Sequence, residues 1–157
     1  PPKYSYTQVQ ARFTGAEVSG NIRLLDTGHK LDLALRADTV RADNSSTDQP
    51  LPRIAPMRLG ATLLWSSGPW GARLGVDQIA AQNRVPEGQR ATSGYTLWNA
   101  ELTYRAKAGK SHLLWYARLD NIGDTLAYSA SSILTQTVAG KAPLPGRSLK
   151  AGLQISF

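Results

Sequence analysis

Cysteine is absent from the 157 residues, histidine and phenylalanine occur twice each, and methionine occurs once. The missing thiols exclude disulfides and thiolate metal sites, and suit passage through an oxidising compartment. His29 and His112, without an H-x-x-x-H spacing, do not make a zinc centre. Nor is a nucleophile, base and orienting acid legible around them, so no catalytic, metal or cofactor residue is assigned and the chain is not expected to be an enzyme. Acidic residues are also scarce, 11 against 18 lysines and arginines, which leaves a net charge of +7. Those cations are scattered through alternating segments rather than gathered in a stripe, which argues against nucleic acid as a partner. No apolar run is long enough for a membrane-spanning helix. The chain opens on Pro1-Pro2-Lys3 with no leader peptide and is expected to be mature or cut from something longer.

What the sequence does have is period-two alternation. Seven segments show it, near residues 12–25, 30–43, 56–66, 70–84, 95–107, 111–121 and 146–157. Tight connections fall at Asp26-Thr27-Gly28-His29, Ser67-Gly68-Pro69 and Ala108-Gly109-Lys110, each with the Gly or Pro that a hairpin needs. Longer connections fall at Asn44–Ala55, Val85–Gly94 and Ile122–Pro145. Short turns at one end and long loops at the other are the arrangement of transmembrane β-barrels, whose alternating strands average out to the hydropathy of a soluble protein.

The faces sharpen this reading. Thr14, Ala16, Val18, Gly20, Ile22 and Leu24 lie opposite Glu17, Ser19, Asn21 and Arg23. Leu31, Leu33, Leu35, Ala37 and Thr39 lie opposite Asp32, Arg36 and Asp38. Later segments repeat the division, with Met57, Leu59, Ala61, Leu63 and Trp65 against Arg58, and Leu113, Trp115, Ala117 and Leu119 against His112, Arg118 and Asp120. None of these apolar faces includes a charge. At 18% charged residues, an uncharged set of about 35 positions arises by chance roughly once in a thousand, and one wall facing lipid accounts for it. Trp65, Trp70, Tyr104 and Phe157 fall at the short-turn ends and form a candidate aromatic girdle. The last segment sets Leu149, Ala151, Leu153, Ile155 and Phe157 on one face and stops on the aromatic residue.

That ending resembles the carboxy-terminal assembly signal of outer-membrane β-barrels, with Leu149, Leu153, Ile155 and Phe157 as its candidate residues. Further runs are similar to TonB-dependent outer-membrane receptors: Ala11-Arg12-Phe13-Thr14-Gly15-Ala16-Glu17-Val18, Leu51-Pro52-Arg53-Ile54-Ala55-Pro56-Met57-Arg58-Leu59-Gly60, Tyr95-Thr96-Leu97-Trp98-Asn99-Ala100, Arg118-Leu119-Asp120-Asn121-Ile122-Gly123-Asp124, and Pro145-Gly146-Arg147 before the last strand. The resemblance implies an all-β fold: an antiparallel meander of transmembrane hairpins forming a C-terminal segment of a large barrel. The whole of 1–157 is then one barrel segment of about seven strands, without a plug domain or TonB box.

The family imports scarce nutrients such as ferric siderophores, haem, cobalamin or zinc with energy relayed by TonB, and this chain is expected to supply wall rather than engine. The Leu51-Pro52-Arg53-Ile54 loop leans toward the zinc- and haem-linked branch. Implied partners are outer-membrane lipid, the barrel-assembly machinery, and the remaining barrel and plug with TonB. The implied location is the outer membrane of a Gram-negative cell, with the C-terminus at the periplasmic rim. Arg53, Arg84, Arg90, Lys141 and Arg147 in the long loops are the candidates for contacting an anionic ligand. An alternative is a complete small scaffold barrel in which Lys3–Gln10 supplies an eighth strand.

Overall fold

The computed structural model describes residues 8–157. In chain order the elements are β1 (Ala11–Asp26), β2 (Lys30–Asn44), β3 (Arg58–Ser67), β4 (Trp70–Ile79), β5 (Tyr95–Ala108), β6 (Ser111–Asp120), the short helix α1 (Ile133–Thr137) and β7 (Ser148–Ser156). The strands form one antiparallel sheet whose spatial order is their sequence order. Gly68 and Gly109 open the β3–β4 and β5–β6 turns with φ of 52° and 62°, the conformation that a two-residue hairpin requires at its first central position. β7 returns to the same end, where Ser156 lies opposite His112.

Among the described residues the sheet has no second layer. Among the described residues, the buried apolar side chains are Ala42 and Ala127, and no large side chain is fully buried. A soluble sandwich of this size would enclose its leucines and tryptophans between two sheets. Here Leu35, Leu63, Leu74, Trp98, Leu102 and Trp115 are all exposed on one face. The described β1 pairs only with β2, and β7 only with β6, so both outer strands present free edges. The eighth strand considered for Lys3–Gln10 falls largely on residues 1–7, outside the described part, and Gln8 to Gln10 are not in a strand.

Register joins the apolar positions across the sheet. Ile22, Leu33, Leu63, Leu74, Ala100, Leu119 and Leu149 form one continuous row of cross-strand partners. The charged positions form another, interrupted only by Leu64: Arg23, Asp32, Leu64, Arg73, Glu101, Arg118 and Lys150.

Three details differ from the sequence expectation. The register shifts between Arg23 and Leu25, so the extra residue Leu24 brings Leu25 opposite Leu31 on the apolar face and returns Asp26 to the charged face. Arg23 then reaches Asp26 at 2.7 Å. The fourth strand ends at Ile79 rather than near residue 84, because Gln82 leaves the ladder to bridge Thr92 and to donate to the Ile54 carbonyl at 2.9 Å. Finally, beyond that bulge β1 and β2 pair without a further shift from Arg23 and Asp32 as far as Ala11 and Asn44. This places Arg12, Arg41 and Asp43 on the apolar parity, beyond the uncharged stretch.

The long β6–β7 connection is closed at its base by Asn121. This residue is only 4% exposed and has φ of 48°. Its side-chain amide donates to the carbonyls of Thr125 at 3.0 Å and Pro145 at 3.2 Å, and its carbonyl accepts from the Thr125 amide at 2.9 Å. Asp124 adds a bond from the Arg147 amide at 2.8 Å. Ser132 caps α1 by accepting from the Leu134 amide at 3.3 Å; five residues are too few to show helical periodicity in sequence. Asn121→Ala removes the partner of two part-buried carbonyls and an amide, and is expected to destabilise the loop base by about 1–3 kcal/mol. Limited proteolysis of the membrane-embedded protein should then cut faster between residues 121 and 147.

Candidate functional site: a charged wall beneath laced loops

On the charged face, arginines reach across strands to carboxylates. Arg36 on β2 pairs with Asp77 on β4 at 2.5 Å, passing over β3 at Gly60. A Cβ at Gly60 would come within 2.9 Å of Asp77 and closer still to Arg36, so the glycine is what lets the guanidinium cross. Gly152 plays the same part beneath Tyr116, whose ring would meet any side chain there. Arg58 donates to Asp38 at 3.0 Å, and Asp120 is shared by Arg118 at 2.7 Å and Lys150 at 3.1 Å. Arg23 also donates to Asp32. All these pairs are partly exposed, so solvent screening leaves each of them weak on this wall.

Among the described residues, Glu17, Arg73, Glu101 and Arg105 have no ion pair. Arg73, Glu101 and Arg105 line, with Asp32 and Thr103, a shallow depression of about 360 Å³. The wall thus combines satisfied cross-strand pairs with a patch of uncommitted charge of both signs. Such a surface can exchange hydrogen bonds with a polar body laid against it. No group of three or more His, Asp or Glu side chains converges on a metal position among the described residues.

Above the wall, the three long loops are tied to one another. Gln82 links the β4–β5 loop to Ile54 of the β2–β3 loop. Arg84 crosses to Asp43 at 2.5 Å. The Gln136 side chain accepts from the Arg90 amide and donates to the Arg90 carbonyl, both at 2.9 Å, which fastens the β6–β7 loop to the β4–β5 loop. The five loop cations singled out in sequence are distributed over this layer rather than brought together. Arg84 is engaged by Asp43, Arg90 and Arg147 contribute backbone amides to the lacing, Lys141 donates its amide to Val138, and Arg53 stands in a turn with φ of 60°. The sequence reading missed the polar side chains that hold the layer: Gln82, Asn121 and Gln136. Only Asn121 lay within a motif that could have signalled it.

At the short-turn end the aromatic residues cluster. Trp70 and Tyr104 are register partners with ring centroids 4.7 Å apart at 54°, and Tyr104 is in turn paired with Trp115, which extends the row. His29 stacks on Trp65 at 5.9 Å. Phe157 stands fully exposed past the end of β7.

A sheet of this kind, oily on one side, ionic on the other and open at both edges, is a piece of a barrel wall. The family model described as TonB dependent receptor-like, beta-barrel matches residues 1–122. The chain belongs to that family. Among solved structures it is similar to the chain described as "Copper transporter OprC", with a TM-score of 0.80 over 95% of its own length at 24% identity. It covers 24% of that chain, about a quarter of its length, and the likeness at this identity shows the fold.

TonB-dependent receptors are outer-membrane barrels, so the two faces have unequal tolerance for charge. Leu74→Arg, in the middle of the apolar face, is expected to destabilise the membrane-inserted protein by roughly 2–4 kcal/mol. Thr62→Arg, on the ionic face, should change stability by less than about 1 kcal/mol. Urea titration in lipid vesicles, followed by heat-modifiable electrophoretic mobility, compares the two.

Proposed function

We propose that this chain is the C-terminal part of the wall of an outer-membrane transporter that imports a scarce, metal-containing nutrient, with TonB supplying the energy. The observation behind the proposal is the juxtaposition of a family barrel wall, an ionic inner surface and a laced loop layer over its long-loop end. In this reading the apolar face meets lipid, and Trp65, Trp70 and Tyr104, joined by Trp115, stand at the periplasmic interface with the C-terminus. Leu149, Leu153, Ile155 and Phe157 are the strand read by the assembly machinery. The free edges of β1 and β7 pair with the remaining strands, since unpaired backbone is not tolerated in hydrocarbon.

The uncommitted Glu17, Arg73, Glu101 and Arg105 would meet a plug whose position changes during transport. Weak, partly solvated pairs suit that task, because each can be broken and reformed at a cost near thermal energy. Arg53, Arg90, Lys141 and Arg147 would attract an anionic chelate at the outer rim, while Arg84 braces the loops through Asp43. A ferric siderophore, haem, zinc or a copper complex all fit the class.

Uptake of labelled ferric siderophore, haem, zinc and copper by cells with and without the gene tests this. Uptake of one of them should fall at least tenfold without the gene and equally without TonB. Unchanged uptake of every one of them would overturn the assignment.

A further inference from the structure

The ionic wall has a low floor along β3 and β4. On the inward side Thr62 faces Gly75 and Ser66 faces Gly71, and only Leu64 and Arg73, opposite each other between these pairs, rise from it. Longer side chains stand on either side, Asp32 and Arg36 on β2 and Glu101 and Arg105 on β5. At ordinary strand spacing β2 and β5 are roughly 14 Å apart, and the floor from Gly60 to Ser66 is about 20 Å long. Two depressions open on it, of about 380 and 360 Å³. Arg36, Gly60 and Thr62 line the upper one, Ser66, Gly71 and Arg105 the lower one, and Leu64 and Arg73 line both.

Three guanidiniums therefore mark the top, waist and foot of one gutter. Arg36 is the register partner of Gly60, Arg73 of Leu64 and of Glu101. The step from Gly60 to Leu64, and that from Glu101 to Arg105, is about 13 Å along the strand. Arg105 leans over the floor, since a Cβ at Gly71 would lie 4.0 Å from its Nη1 atom. Asp32 is engaged by Arg23, and Arg36 by Asp77, although a guanidinium with five N–H groups keeps donors to spare. Among the described residues Arg73 and Arg105 have no ion pair, against the one unpaired carboxylate of Glu101. The uncommitted charge in the gutter is thus positive. Both cations lie on strands flanked on each side by described strands, so only the lumen side of each is open.

We infer, on the import reading above, that this gutter is the path of an anionic solute between the wall and the plug. A plug laid against the wall rests on the longer side chains of β2 and β5 and spans the floor, leaving water beneath it. The solute passes from Arg36 to Arg73 to Arg105, toward the short-turn end. Guanidiniums recognise oxyanions by paired hydrogen bonds, and solvated, widely spaced ones release them readily, which suits passage rather than capture.

The test uses the complete receptor in outer-membrane vesicles. This chain has no cysteine, so T62C and S66C each add a single thiol to it, in the upper and the lower depression. Modification rates with an anionic and a cationic methanethiosulfonate of similar size are each divided by the rate with a free small thiol. The corrected ratio should favour the anionic reagent by about threefold or more at both positions. R73Q should bring it close to one, whereas R118Q, the same charge change two strands away in the same row, should leave it unaltered. Heat-modifiable mobility establishes that each variant is a folded barrel, and R105Q read at S66C takes the place of R73Q should that variant fail. The inference is overturned if either thiol resists both reagents, because the plug then fills the floor. An absent or cationic preference overturns it too, as does an undiminished ratio in R73Q, or an equal loss in R118Q, which would make the preference a property of the whole receptor's field. Uptake by whole cells is a separate readout: anion preference without uptake of any of the four nutrients overturns the import reading, and uptake without anion preference overturns the gutter alone.

Discussion

Every backbone amide and carbonyl inside a hydrocarbon layer must find its partner on a neighbouring strand, because lipid offers none. The seven-stranded sheet meets that condition everywhere except along β1 and β7. Those two edges are the strongest physical statement the fold makes. A sheet with no second layer and no large buried side chain among the described residues draws little stability from an internal core. Lipid on one face and additional strands at both edges are what such a sheet requires, and coverage of only a quarter of the OprC chain agrees with that geometry.

Keeping the two faces pure takes specific devices. The bulge at Leu24 repeats the lesson of register, that one inserted residue exchanges every side chain beyond it between walls. Here the exchange carries Asp26 from the oily face to the ionic one, where it joins Arg23. Glycine performs the complementary task within the ionic wall. At Gly60 the absence of a Cβ gives Arg36 a path to a carboxylate two strands away, and at Gly152 it gives Tyr116 a floor to lie on. Individually weak pairs are compatible with a surface that is contacted and released.

The loops follow a different rule. They hold no apolar core of their own, so their order comes from side-chain amides that imitate backbone partners: Gln82 toward Ile54, Gln136 toward Arg90, and Asn121 toward Thr125 and Pro145. The cations between them are consequently tied by local bonding to separate parts of the layer. A ligand meeting that layer would encounter dispersed positive charge rather than a single chelating pocket.

Strand number, order, short and long connections, and the choice of oily side were legible in the sequence because a strand exposes its side chains with a period of two. The run Leu31, Leu33, Leu35 and Ala37 needs no tertiary information to be read as one stripe. The terminal strand and the Asn121–Asp124 turn were legible as motifs. Legibility failed where the outcome depended on a residue far along the chain. Whether β4 stops at Ile79 is decided by Gln82 finding Thr92 and Ile54. The fate of Arg84 is decided by Asp43, forty-one residues away, and whether Arg12 and Arg41 face lipid or water is decided by how far the β1–β2 ladder continues. Alternation is a local property that each segment carries alone, whereas pairing, register and the meeting of loops exist only between segments; the sequence therefore determined the two walls, and the folded sheet decided which charges on them are joined and which remain free.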